Sequence, residues 1–198
     1  MIAPAPSTDG RVLRGERTRR RLVESLLDLI NDGVRAPTAS QIAHRAGVSV
    51  RSVFQHFNDL EALYEDLASE QGDRVAPMLA SLQQPEGLAD RIEALVVHRR
   101  DLFEMIAPVR HAIGGRAFDS PALRRRLDDL SAALREQLAE QFAEELSRSG
   151  AAQRGSTLHA LDLASSFEAW DRLRVEQRLS AAEAAAVVGF TITALLRA

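Results

Sequence analysis

The stretch from Thr38 to Phe57, TASQIAHRAGVSVRSVFQHF, holds the residue types and spacing best suited to chemistry, and that chemistry is recognition. Two short helices are predicted, joined by a tight turn at Gly47-Val48-Ser49. Glycine suits a left-handed turn position that other residues reach only at a cost. Val48 is apolar where such a turn needs a residue tucked between two helices. Ile42, Ala43, Ala46, Val53 and Phe57 supply a shared core, and the alanines allow close approach. This is the helix-turn-helix plan, in which the second helix lies in the major groove of DNA. Phe54 and Phe57 are both read as core residues rather than as base-stacking ones.

Other chemistries find little support. The absence of Cys excludes a disulfide framework, a thiolate metal site and a Cys nucleophile, and it suits the expected cytoplasmic address. The histidines at 44, 56, 98, 111 and 159 show no metal-ligand spacing. His98 and Asp101 stand one helical turn apart without a third partner, and Gly114-Gly115 lacks the preceding strand of a phosphate loop. Neither a metalloprotease, a nucleotide-binding nor a nucleophile-elbow motif occurs. No enzyme, cofactor or metal is expected.

The charge is divided unevenly along the chain. The net value of −3 over 198 residues resolves into nine Arg against five acids in 1–56, and 16 Arg against 23 acids in 57–198. That is +4 on the first segment and −7 on the second, with Arg supplying every one of the 25 basic residues. A basic head on an acidic body points to a polyanionic partner.

The elements that must position these residues are helices. Leu22, Val23, Leu26, Leu27 and Ile30 form the apolar stripe of a first helix stopped by Gly33. Thr38 with Gln41 opens a second as a capping box, Ser49 caps a third, and Asn58 or Asp59 opens a fourth. Pro77 is expected to kink or break that fourth helix. A fifth runs from about Leu88 to Met105, followed by a short irregular helix between Pro108 and Pro121. Leu123, Leu127, Leu130, Leu134, Leu138, Phe142 and Leu146 make one long seam, and Gly150 to Gly155 reads as a loop. Helices over about 156–177 and from Ser180, whose Glu183 completes a second capping box, end the chain. The fold class is all-α, with about nine helices. Residues 1–15 are expected to be a flexible tail with no signal peptide, 16–57 a three-helix head, and 58–198 a helical bundle body. No apolar run suffices for a membrane span.

From about Glu16 to Leu67 the chain resembles the DNA-binding head of TetR/AcrR-type transcriptional regulators. The carriers are the first amphipathic helix, TASQIAHRAGVS, VRSVFQHF and DLEALYEDL. The closing EAWDRLRVEQRLSAAEAAAVVGFTITALL is similar in pattern to the last two helices of that family. The resemblance makes Val50 to His56 the recognition helix. It implies that Arg51 reads guanine through O6 and N7, that Gln55 reads adenine, and that Val50 touches a thymine methyl. Thr38, Ser49, Ser52 and His56 fall where family members contact phosphates. Arg17, Arg19, Arg20 and Arg21 would add electrostatic attraction or reach the minor groove. Leu60 stands where the family often carries a lysine, which leaves that phosphate contact only the amides and partial positive charge of the fourth helix's N-terminus.

For the body, the resemblance implies an effector pocket between the middle helices, with His98, Phe103, Arg110, Phe118, Phe167 and Trp170 as its candidates. It also implies a homodimer built on the last two helices. The final helix carries more apolar surface than one face needs, and Trp170, Val188, Ile192 and Leu195 are the candidates to be covered by a second copy. The function so implied is a regulator, a repressor of an operator in double-stranded DNA, released by a small-molecule effector. The alternative is an all-α dimeric small-molecule-binding protein without DNA recognition.

Overall fold

The computed structural model describes residues 8–148 and 150–197. Among them are ten α-helices and no strand. In chain order these are α1 (Thr8–Asn31), α2 (Ala39–Ala46), α3 (Val50–His56), α4 (Leu60–Leu79) and α5 (Leu88–Gly114). After a 3-10 turn at Arg116–Phe118 come α6 (Pro121–Gln141), α7 (Ala143–Ser147), α8 (Ala151–Ala164) and α9 (Phe167–Asp171). A π-helical turn at Arg172–Glu176 leads to α10 (Ala181–Arg197). None of these helices is long and apolar enough to cross a membrane.

Two compact units share the chain. The first contains the described residues up to Gln71 together with Pro108–Arg124, and the second contains Gly72–Ala107 and the residues from Arg125 on. The boundaries therefore fall inside α4, α5 and α6. The expected tail over 1–15 lies at residues 1–7 outside the described residues, while α1 already includes the residues from Thr8.

In the first unit, the stripe Leu22, Val23, Leu26 and Ile30 of α1 is buried with Ile42, Ala43 and Ala46 of α2 and Val53 and Phe57. Two helix ends share one geometry. Gly33 and Gly47 take φ of 87° and 65°, and the residue after each donates back to the helix, Val34 to Leu29 (2.9 Å) and Val48 to Ala43 (2.9 Å). This is the Schellman closure, which needs a left-handed residue and places an apolar one after it. It explains why Gly47-Val48 stands where it does, with Ser49 at once capping α3 by accepting from the Ser52 amide (3.1 Å). The Thr38–Gln41 capping box closes in both directions at the start of α2. Asp59 opens α4 by accepting from the Ala62 amide at 2.8 Å.

The second unit is built around Leu95, Leu102 and Phe103 of α5, Leu138 of α6, Phe142, Leu161 of α8, Trp170 of α9 and Ile192 of α10. The Phe103 ring meets Phe167 edge-on at 5.7 Å. The Ser180–Glu183 box opens α10 as expected.

Several boundaries differ from the expectation. Pro77 and Pro108 sit within α4 and α5, so neither breaks its helix; each removes one backbone donor and the surrounding turns continue. The segment expected as a loop from Gly150 is helical from Ala151, and Gly155 lies inside α8. The long seam divides at Phe142 between α6 and α7. The helix expected over 156–177 divides too, because Ser166 caps α9 by accepting from the Ala169 amide (3.1 Å).

Candidate nucleic-acid interface

Helix α3 presents two faces. Val53 and Phe57 point into the core of the first unit. Val50, Arg51, Phe54 and Gln55 are exposed, forming two pairs each four residues apart on the opposite side. Ser52 and His56 are half-buried between the faces, and Thr38 and Ser49 are exposed at the starts of α2 and α3. Val50, Arg51 and Gln55 thus share the outer face of α3 with Ser49 at its start, while Thr38 stands at the start of α2.

Phe54 departs from the sequence reading. It is 49% exposed rather than core, because Val53 and Phe57 already fill the inward positions of this helix. It stands one turn after Val50, so the exposed face of α3 carries an apolar strip beside the polar pair Arg51 and Gln55.

The cap hydroxyls are partly committed. Thr38 Oγ1 accepts from the Gln41 amide and donates to Gln41 Oε1 (3.0 Å). Ser49 Oγ accepts from the Ser52 amide, which leaves its own proton for an acceptor outside the chain. At the start of α4, Leu60 is half-buried and the Asp59 carboxylate occupies the Ala62 amide, so this terminus is poorly arranged for a phosphate.

The arginines of α1 divide. Arg17, Arg20 and Arg21 are exposed. Arg19, expected to act on DNA, is engaged within the protein instead. Its Nε and Nη2 hold the two carboxylate oxygens of Asp66, and Nη1 donates to the His56 carbonyl (2.8 Å). Its guanidinium also lies over the Phe57 ring. No local pattern could have shown this, since Asp66 lies 47 residues away in the chain. Arg45, on the outer side of α2, pairs with Asp32 at 2.6 Å.

The candidates for an effector site fall in both units. His98, Phe103, Phe167 and Trp170 belong to the second, where Phe103 touches both Phe167 and Trp170. Arg110 and Phe118 belong to the first, and Phe118 is 83% exposed. Trp170 Nε1 donates to Glu104 (2.9 Å), and Arg174 grips the same carboxylate. Arg174 holds the Glu104 carboxyl below its ordinary range against a smaller opposing effect of burial. His98 Nε2 donates to the Met78 carbonyl at 2.8 Å, and burial pulls the imidazole below its ordinary value.

The dimer candidates need revision. Trp170, Val188 and Ile192 are buried inside their own unit and Leu195 is half-buried, so the first three have no area left for a second copy to cover. The exposed large apolar residues from α8 onward are Leu163 on α8, Val175 in the π-helical turn, and Val187 and Phe190 on α10, where α8 and α10 pack on each other.

No family model matches the chain. The HTH-type transcriptional regulator BetI of Escherichia coli (strain K12 / DH10B) is 33% identical over 152 residues, covering 72% of this chain and 77% of the relative. BetI of Klebsiella pneumoniae (strain 342) is 34% identical over the same extent. A transcriptional regulator from Rhodococcus sp. Rha1 superposes with a TM-score of 0.70 at 19% identity, covering 90% of this chain and 96% of its own. A TetR-family regulator from Streptomyces coelicolor gives 0.67 at 19% identity, covering 92% and 87%. The two structures match the all-α fold across both units, and the BetI relatives carry the sequence likeness. The chain belongs to the TetR family of helix-turn-helix transcriptional regulators.

Proposed function

We propose that the chain acts in the cytoplasm as a dimeric repressor, with 16–57 binding an operator and 58–198 binding an effector and the second copy. The observation that carries this reading is the exposed face of α3. Arg51 and Gln55, the side chains best able to grip a base edge with two hydrogen bonds, lie there beside Val50 and Phe54. Ser49, Ser52 and His56, on α3 and its cap, and Thr38, at the start of α2, are the residues that would take phosphates. In the dimer, two copies of α3 would enter successive major grooves about 34 Å apart.

Leu163 on α8 and Val187 and Phe190 on α10 are the exposed apolar residues that an isologous contact through these two helices would cover. An effector bound in the second unit would favour a dimer whose α3 spacing no longer fits the operator. A coupling of about 1–3 kcal/mol suffices for such a switch. Helix α4, which starts directly after α3 and ends in the second unit, is the covalent route for that coupling. Catalysis has no part in this reading, since Asp101 pairs with Arg100 while His98 is engaged by Met78 and Arg99.

A gel-shift titration of the full chain against the DNA flanking its own coding region tests the proposal. A discrete shifted species on one fragment is expected. A folded dimer that shifts none of these fragments would favour the binding protein without DNA recognition.

A further inference from the structure

Arg99 lies in the interior of the second unit with 1% of its surface exposed. Burial brings it down only to about 10, so it keeps its charge at neutral pH. Each of its hydrogen bonds goes to a neutral acceptor. Nη2 donates to the Leu134 carbonyl (2.8 Å), and Nη1 donates to Gln137 Oε1 (2.6 Å) and to His98 Nδ1 (3.1 Å). His98 accepts on Nδ1 because its Nε2 proton is given to the Met78 carbonyl.

Among the described residues no carboxylate lies within ion-pair distance of Arg99. Asp162 on α8 acts on it only from longer range, and its own ion-pair partner is Arg135 at 3.8 Å. A guanidinium has five donors. Three are used here, and Nε has no acceptor, which leaves Nε–H and one Nη2–H. Nε and Nη2 form the edge through which arginine takes a carboxylate side-on. A purely structural arginine buried this deeply is expected to be paired, because an interior charge without a counter-charge is strongly unfavourable.

The surroundings narrow the chemistry. Leu95 and Phe103 lie one turn to either side of Arg99 on α5, Leu138 follows Gln137 on α6, and all three are buried. Two remaining donors match the two oxygens of a carboxylate, whereas a phosphate dianion would need more. We propose that Arg99 anchors an organic carboxylate with an apolar body, held by Nε and Nη2 within the second unit. That this ligand is the effector rests on the functional reading above.

The test is calorimetric titration of the full-length protein with straight-chain carboxylates from butanoate to dodecanoate and with phenylacetate. The matching primary amides and inorganic phosphate serve as controls. Saturable binding of at least one acid is expected, with affinity for its amide weaker by about tenfold or more. Arg99→Gln should abolish binding of the acid. Arg99→Lys keeps the charge and loses the fork, so it should weaken that acid by about tenfold even if the Gln variant fails to fold.

Three results would overturn the proposal: no acid of the series binds, an amide binds as tightly as its acid, or the Lys variant keeps the original affinity. The last two would leave Asp162 or internal water to balance the guanidinium. The effector reading is judged separately, by operator affinity with and without the bound acid. An acid that binds through Arg99 without changing operator affinity defeats that reading and leaves the site standing.

Discussion

Arg19 holds Asp66 through two nitrogens, Nε at 2.5 Å and Nη2 at 2.8 Å, while its guanidinium covers the Phe57 ring at 4.2 Å. Because Nη1 also takes the His56 carbonyl, one side chain on α1 fixes the end of α3 and the first half of α4 together. The end of α3 that carries the exposed face is therefore held by an interaction within the first unit. Both side chains are partly open to solvent, at 43% and 32%, so the pair is discounted to about 1 kcal/mol of coupling. A double-mutant cycle of Arg19→Ala and Asp66→Ala, followed by urea denaturation, should return a value of that order. Zero coupling would show that the Arg19–Asp66 pair does not help hold α4 against α1.

The two phenylalanines of α3 and its cap should separate stability from recognition. Phe57→Ala opens a cavity in the core and is expected to destabilise by about 3–5 kcal/mol. Phe54→Ala should change stability by no more than about 0.5 kcal/mol, since that ring is largely exposed. Its effect should fall on operator affinity instead. Thermal unfolding paired with fluorescence anisotropy on labelled operator distinguishes the two, and a large stability loss for Phe54→Ala would contradict the exposed placement.

Charge placed on the outer face of α10 should dissociate the proposed dimer without unfolding the chain. Phe190→Glu is expected to sediment as a folded monomer, because Phe190 is 77% exposed in the single chain. Ile192→Glu should instead lose helical signal, since that position is already filled from within. A Phe190→Glu protein that remains fully dimeric would move the interface away from this face.

Acid should weaken the second unit through His98. Burial lowers the folded-state value, so the unfolded chain takes up the proton first as the pH falls below about 6.5. The contribution is whole above that value and is lost as the pH falls towards the lowered folded-state value. Protonation would also turn Nδ1 from an acceptor into a donor facing Arg99, with the charge of Asp101 offsetting that repulsion only weakly. Denaturation between pH 7.5 and 5 should show stability falling in the wild type and a shallower fall in His98→Gln; equal slopes would remove His98 from this account.

Local signals made the head legible. Thr38 with Gln41, Gly47-Val48, Ser49 and Asp59 are short-range devices whose chemistry is contained in four or five neighbouring residues, and each fills the role its spacing implies. The body was less readable for the same reason inverted. Which side of α10 faces inward depends on the helices it meets, so Val188 and Ile192 could not be told from Val187 and Phe190 by composition. Arg99 resembles any arginine on a charged helix face until α6 is placed against it, 35 and 38 residues later in the chain. Phe54 looked like core because aromatic residues usually are; only the prior claim of Val53 and Phe57 on the inward face turns it out.

The central claim, that α3 reads a DNA sequence, is tested most directly by anisotropy titrations of wild type and Arg51→Ala. These would use the shifted operator, point-substituted operators and unrelated DNA over a range of salt. Steep salt dependence is expected for the wild type, from counterion release. Arg51→Ala is further expected to lose about 1–3 kcal/mol on the operator and to cease discriminating at one base position, with its salt slope nearly unchanged. An equal loss on every DNA, with the slope reduced by about one, would make Arg51 a phosphate contact and contradict the reading of α3.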